Sequence, residues 1–155
     1  MRAMAENSDA AAKKKARLDT DQVDMASKIA ISIAHAVDAF WETANKDDRI
    51  SDPVKQLANR SREASKLRTP EARLRAQLDE VDRYAAAAQT GEGPRLVREG
   101  QAAGWQARAH QIRAKIPLVE TMKGRTRAKH LRSLSKRTKT LLDEIIAADI
   151  ENGVD

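Results

Sequence analysis

The sequence predicts an all-α protein, an antiparallel helical bundle of four to five helices behind a disordered basic N-terminal tail. Three observations carry that expectation. Apolar residues recur at alternating intervals of three and four along most of the chain, which is the period of one helix face. The composition favours helix, with 28 Ala but only two Trp, one Tyr and one Phe among 155 residues. Pro and capping residues mostly fall between the periodic runs, where helices start and stop. A chain of this length suits one domain, assigned here to residues 19–155, with 1–18 as the tail. An Ala-rich core lets helices approach closely but buries little area per residue, so modest stability is expected.

Residues 1–18 are mainly Ala, Lys and polar side chains, with Lys13, Lys14, Lys15 and Arg17 clustered. They offer little apolar surface to offset the entropy of ordering. The first helix is expected from Asp19 or Thr20, as N-cap, to near Asn45. Val23, Ala26, Ala30, Ile33, Val37, Phe40 and Ala44 keep heptad spacing along it, as in a coiled-coil seam. Ser51, Asp52 and Pro53 form a capped start for a second helix. Its apolar face is Val54, Leu57, Ala58, Ala64 and Leu67, and Ser61 falls on that face, which predicts partial exposure. Thr69 and Pro70 recap a third helix, with Leu74, Leu78, Val81, Ala85 and Ala88 inward. The polar run from Gln89 to Pro94 reads as a loop.

A fourth helix is expected over about 95–116. One stripe holds Ala102, Trp105, Ala109, Ile112 and Ile116. A second holds Val97, Gly100, Gly104, Ala107 and Ala114, whose two glycines predict a close backbone contact with the Ala85–Ala88 end of the third helix. Two stripes would make this helix the central one. Pro117 should kink or end it. The last helix is expected from about 118 to 151, weakened at Gly124, with Leu131, Leu134, Thr138, Leu141, Ile145 and Ala148 as its seam. Asn152 and Gly153 supply its stop.

Several function classes are excluded or disfavoured. With no Cys there is no disulfide, thiolate metal site or Cys nucleophile. Met1 to Ala12 lack the apolar segment of a signal peptide. The run 29–41 is interrupted by Ser32, His35 and Asp38 and is too short to span a membrane. A cytoplasmic location is expected. His35, His110 and His130 are scattered, without metal-binding or catalytic spacing. Asp79, Glu80 and Asp82 have Arg75 and Arg83 within helical reach of Asp79, and ordinary salt bridges explain them. No motif calls for a metal or a cofactor, and a non-enzymatic protein is expected.

The charge map points elsewhere. The net charge is +6, and residues 105–140 hold eleven basic side chains against one acid, Glu120. Arg125, Lys129, Arg132, Lys136 and Lys139 recur at 4-3-4-3 spacing, which confines them to a sector of about 80° opposite the leucine seam. Lys123, Arg127 and Arg137 flank them. The eight together are the candidate nucleic-acid-binding set, for DNA or RNA backbone. Without Asn, Gln or interleaved aromatics among them, such binding should carry little sequence preference. A solvated charged face would have the same pattern. An alternative is a protein-interaction or self-assembly module. In it, an acidic stripe of Asp24, Asp38 and Glu42 on the first helix meets the basic stripe of a second copy, giving a dimer or filament.

Overall fold

The computed structural model describes residue 35, residues 37–90, residue 97 and residues 100–152. The expected basic tail, the first half of the first seam with Asp24, and most of the Gln89–Pro94 loop lie outside the described residues. Within them the chain is a bundle of helices without strands. A helix over 37–46 (α1) precedes Asp52–Ala64 (α2), Pro70–Thr90 (α3), Gln101–Arg113 (α4), Ile116–Thr121 (α5) and Gly124–Asn152 (α6).

Buried apolar side chains from all six join one cluster. Val37, Phe40 and Ala44 of the predicted first seam are buried, as are Val54, Leu57 and Ala58 of α2. Leu74, Leu78, Val81 and Ala85 line the inward face of α3, and Ala102, Trp105, Ala109 and Ile112 that of α4. Small Ala side chains bring α3 and α4 together around one aromatic pair. The rings of Tyr84 and Trp105 lie 5.9 Å apart, tilted by 39°, an arrangement favourable by about 1 kcal/mol beyond its buried area. Burial, and then the Asp149 carboxylate, push the Tyr84 hydroxyl above its ordinary pKa.

The starts of the helices follow the capping residues. Thr69 Oγ1 accepts a hydrogen bond from the Ala72 amide at 3.2 Å, with Pro70 opening α3. Ser51 stands at the N-cap of α2, but its hydroxyl makes no local cap bond. It donates instead to Oδ1 of Asp149, 98 residues later, and its amide donates to Oδ2, both at 2.7 Å. A carboxylate near the end of α6 thus satisfies the start of α2.

Several expectations are corrected. Ser61 is fully buried on the face of α2 that packs against α3, and its Oγ has no hydrogen-bond partner among the described residues. Leu67 lies beyond the end of α2 and is 43% exposed. The fourth helix starts at Gln101, because Gly100 adopts φ +86°, a left-handed conformation incompatible with a helix interior. A Cβ on Gly104 would meet nothing within 4 Å, so the glycines mark no close backbone contact. Ala107 and Ala114 are exposed, which leaves α4 with one buried stripe. The central helix is α3, which packs against α2, α4, α5 and α6. Pro117 has no amide to offer the carbonyl of Arg113, so α4 stops there and the proline sits in the first turn of α5. The predicted weakness at Gly124 is a full break: Met122 is extended, Gly124 has φ +58°, and α6 begins anew.

Candidate anion-binding face

The long helix α6 is two-sided along its first half. Leu131, Leu134, Thr138 and Leu141 are buried on the bundle side, with the Thr138 hydroxyl donating to the Leu134 carbonyl at 3.0 Å. Arg125, Lys129, Arg132, Lys136 and Lys139 are all exposed on the other. Four helical turns bring these five cations into one line, with a rise of about 21 Å from first to last. Like charges at these spacings weaken an isolated helix by a few tenths of a kcal/mol per pair. Here the apolar seam holds the helix regardless.

Salt bridges sort the basic residues into two groups. One group ties helices together. Arg62 reaches Asp38 at 3.4 Å and lies over the Trp41 ring at 4.2 Å, Arg75 reaches Glu120 at 2.7 Å, and Arg108 pairs with Glu144. Arg113 clamps both Asp79 at 2.7 Å and Asp82 at 2.6 Å, with His110 3.5 Å from Asp82. The acids of α3 are therefore held mainly across the α3–α4 interface. Within α3, Glu80 alone takes a helical neighbour, Arg83 at 2.6 Å.

The second group has no acid. Among the described residues, Lys123, Arg125, Lys129, Arg132, Lys136 and Arg137 form no ion pair, and all six are exposed. Lys139 is held at 2.5 Å by Asp143, which continues the same line and closes the stripe at its C-terminal end. Arg127 differs in kind. It turns toward the bundle and pairs with the buried Glu71. Of the eight predicted residues, Arg125, Lys129, Arg132 and Lys136 thus form one exposed line without acids and Lys139 sits at its end, whereas Lys123 precedes the helix, Arg137 stands on its flank and Arg127 serves the fold.

The acidic stripe is less available. Asp38 is exposed but paired with Arg62, and Glu42 lies 3.5 Å from Lys46. Asp24 is outside the described residues. No group of three or more His, Asp or Glu among the described residues is placed to hold a metal ion. None of the helices described is long and apolar enough to cross a membrane.

A feature that sequence spacing does not reveal adjoins the stripe. A groove of about 270 Å³ runs between α4 and α6, bordered by Arg108, Lys136 and Arg137 and floored by Ile112 and Leu141. The only signal of it in the sequence is that Lys136 and Arg137 stand on adjacent flanks of α6.

The chain matches no known protein family, no curated protein and no solved structure.

Proposed function

We propose that the protein is a non-enzymatic accessory protein that holds nucleic-acid backbone, with little sequence preference, on the outer face of α6. One observation carries this reading: Arg125, Lys129, Arg132 and Lys136, exposed and without an ion pair among the described residues, line up on one face of α6 that holds no acid before Asp143. Elsewhere in the bundle most basic side chains have a carboxylate within reach. A row of fixed cations binds phosphate chiefly by releasing condensed counterions, which needs no base contact. The hydroxyls of Ser133 and Thr126 on the same helix supply further donors for phosphate oxygens.

Self-association through the acidic stripe draws less support, because Asp38 and Glu42 already have cations beside them. Titration of labelled duplex DNA and duplex RNA with the full chain tests the proposal. Binding should be measurable at low salt, of similar strength for unrelated sequences, and should weaken linearly in log salt. Five contacts imply a slope of about −4.5 for DNA. No binding at low salt would reject the proposal. A cytoplasmic site of action is part of the same reading.

A further inference from the structure

The line of cations on α6 stands on a ridge. From Arg125 to Thr140 the exposed side chains take up about 180° of the helix circumference. Arg125, Lys129, Arg132 and Lys136 run along that exposed sector over a rise of about 16 Å. The groove between α4 and α6 borders Lys136 and Arg137 but not Arg125, Lys129 or Arg132, so it does not follow the line. No aromatic ring accompanies the cations either. Of the two Trp, one Tyr and one Phe in the chain, Phe40, Tyr84 and Trp105 are buried. Trp41 is partly buried on α1, where Arg62 covers its ring at 4.2 Å and Asn59 accepts its indole N–H at 2.6 Å. The exposed His130 imidazole stands about 130° around the helix from the line.

These features separate two forms of nucleic acid. A single strand is a flexible chain, held by a groove that tracks its backbone and by aromatic rings on which its bases stack. Laid along a bare ridge, it would give up conformational freedom with no stacking to offset the loss. A duplex already fixes its phosphates in place and stacks its bases on one another, so it needs neither groove nor ring. It also holds a denser counterion atmosphere. Each phosphate neutralised contributes about 0.9 to the salt slope for B-DNA and about 0.7 for a single strand. Both effects favour the duplex on this face.

We propose that the outer face of α6 takes double-stranded nucleic acid in preference to single strands, because it presents a row of cations on a ridge without a stacking platform. This preference rests on the backbone reading and names the form of nucleic acid that the same cations hold. DNA and RNA duplexes share the chemistry that the row recognises.

Fluorescence anisotropy of a labelled DNA strand of about 20 nucleotides without self-complementarity, alone and as its duplex, tests the preference with the full chain across a salt series. The duplex should bind at least about tenfold more tightly at low salt. Five contacts imply a slope of about −4.5 for the duplex and about −3.5 for the single strand. An RNA strand and its duplex, titrated in the same way, distinguish the two sources of the chemistry. Thr140→Trp supplies the missing platform, since Thr140 is exposed on α6 about 50° from the line. The variant should tighten the single strand at least about fivefold, as one stacked base does, and leave the duplex within about twofold. A single strand that binds the native chain as tightly as the duplex overturns the preference and upholds the backbone reading. Thr140→Trp that tightens both forms alike, or neither, also overturns it, because missing stacking is then not what sets the order. Binding of neither form at low salt rejects the backbone reading, and the preference with it.

Discussion

Arg127 on α6 donates from both Nε, at 3.0 Å, and Nη2, at 2.5 Å, to a single carboxylate oxygen of Glu71 in the first turn of α3. Glu71 is 4% exposed, whereas the arginine side chain keeps about a third of its surface in water at 37%. The carboxylate thus depends on Arg127 and on the helix N-terminus for its charge to be tolerated. By spacing alone Arg127 belongs with the basic set of α6. By position it fastens α6 to the start of the central helix.

Arg127→Met should therefore act on stability and leave binding almost untouched. Stranding a buried carboxylate costs about 3 kcal/mol or more in fully buried pairs, and the exposed arginine reduces this to about 1–3 kcal/mol. Glu71→Gln/Arg127→Met should recover most of the loss. Urea unfolding of the native chain, the single variants and the double variant measures the coupling, and additive losses would contradict it.

The two glycines of the fourth segment should respond in opposite directions to alanine. Gly104 lies inside α4, where an added methyl meets open space. Gly104→Ala should raise stability by about 0.5–1 kcal/mol through helix propensity and a less free unfolded chain. Gly100 holds φ +86°, and Gly100→Ala should cost about 1–2 kcal/mol, because a Cβ crowds the backbone there. Thermal unfolding of the pair distinguishes a capping glycine from a packing one, since a packing role would make both substitutions harmful.

In the α1–α2 connection, Arg49 bonds Asp47 through its side chain, at 2.6 and 3.0 Å, and through its amide, at 3.0 Å. The side-chain bond first, and the backbone bond next, hold the Asp47 carboxyl down at about 2, from 3.8. A depressed folded pKa means that the ionised form stabilises the fold. That contribution is complete above pH 3.8 and is lost as the pH falls toward 2. Carboxyl NMR titration should place the Asp47 midpoint near the lower value, and Arg49→Gln should move it back toward the upper one. An ordinary midpoint in the native chain would show that the pair does not persist in solution.

Periodicity located the helices because a buried stripe is a property of the chain itself. Leu131, Leu134 and Leu141 face inward whatever their partners are. Thr69–Pro70 marks a real start because its cap and its proline both act within one turn, whereas at Ser51–Asp52–Pro53 only the proline acts locally and Ser51 turns to Asp149. What was hidden depends on where other helices lie. Nothing near Ser61 in sequence shows that the packing of α2 buries it completely. Spacing groups Arg127 with Lys129, and only the placement of Glu71 separates them. The glycines 100 and 104 share a stripe on paper, yet one stands outside the helix with a backbone angle that sequence spacing cannot express. The groove beside Lys136 needs α4 and α6 side by side, so no single-helix pattern contains it.

The most direct test of the basic face compares two triple reversals with the same change in net charge. Arg132→Glu/Lys136→Glu/Lys139→Glu alters the outer face of α6, and Lys46→Glu/Lys66→Glu/Arg83→Glu alters exposed cations on α1, the α2–α3 turn and α3. Duplex DNA affinity is measured for both, and for the native chain, across a salt series. The first variant should lose at least about tenfold in affinity at low salt and flatten the salt slope by about 3, one for each contact removed, while the second stays near the native curve. Equal losses in the two variants would mean that net charge, and not the face of α6, attracts the nucleic acid; an unchanged first variant would contradict the assignment outright.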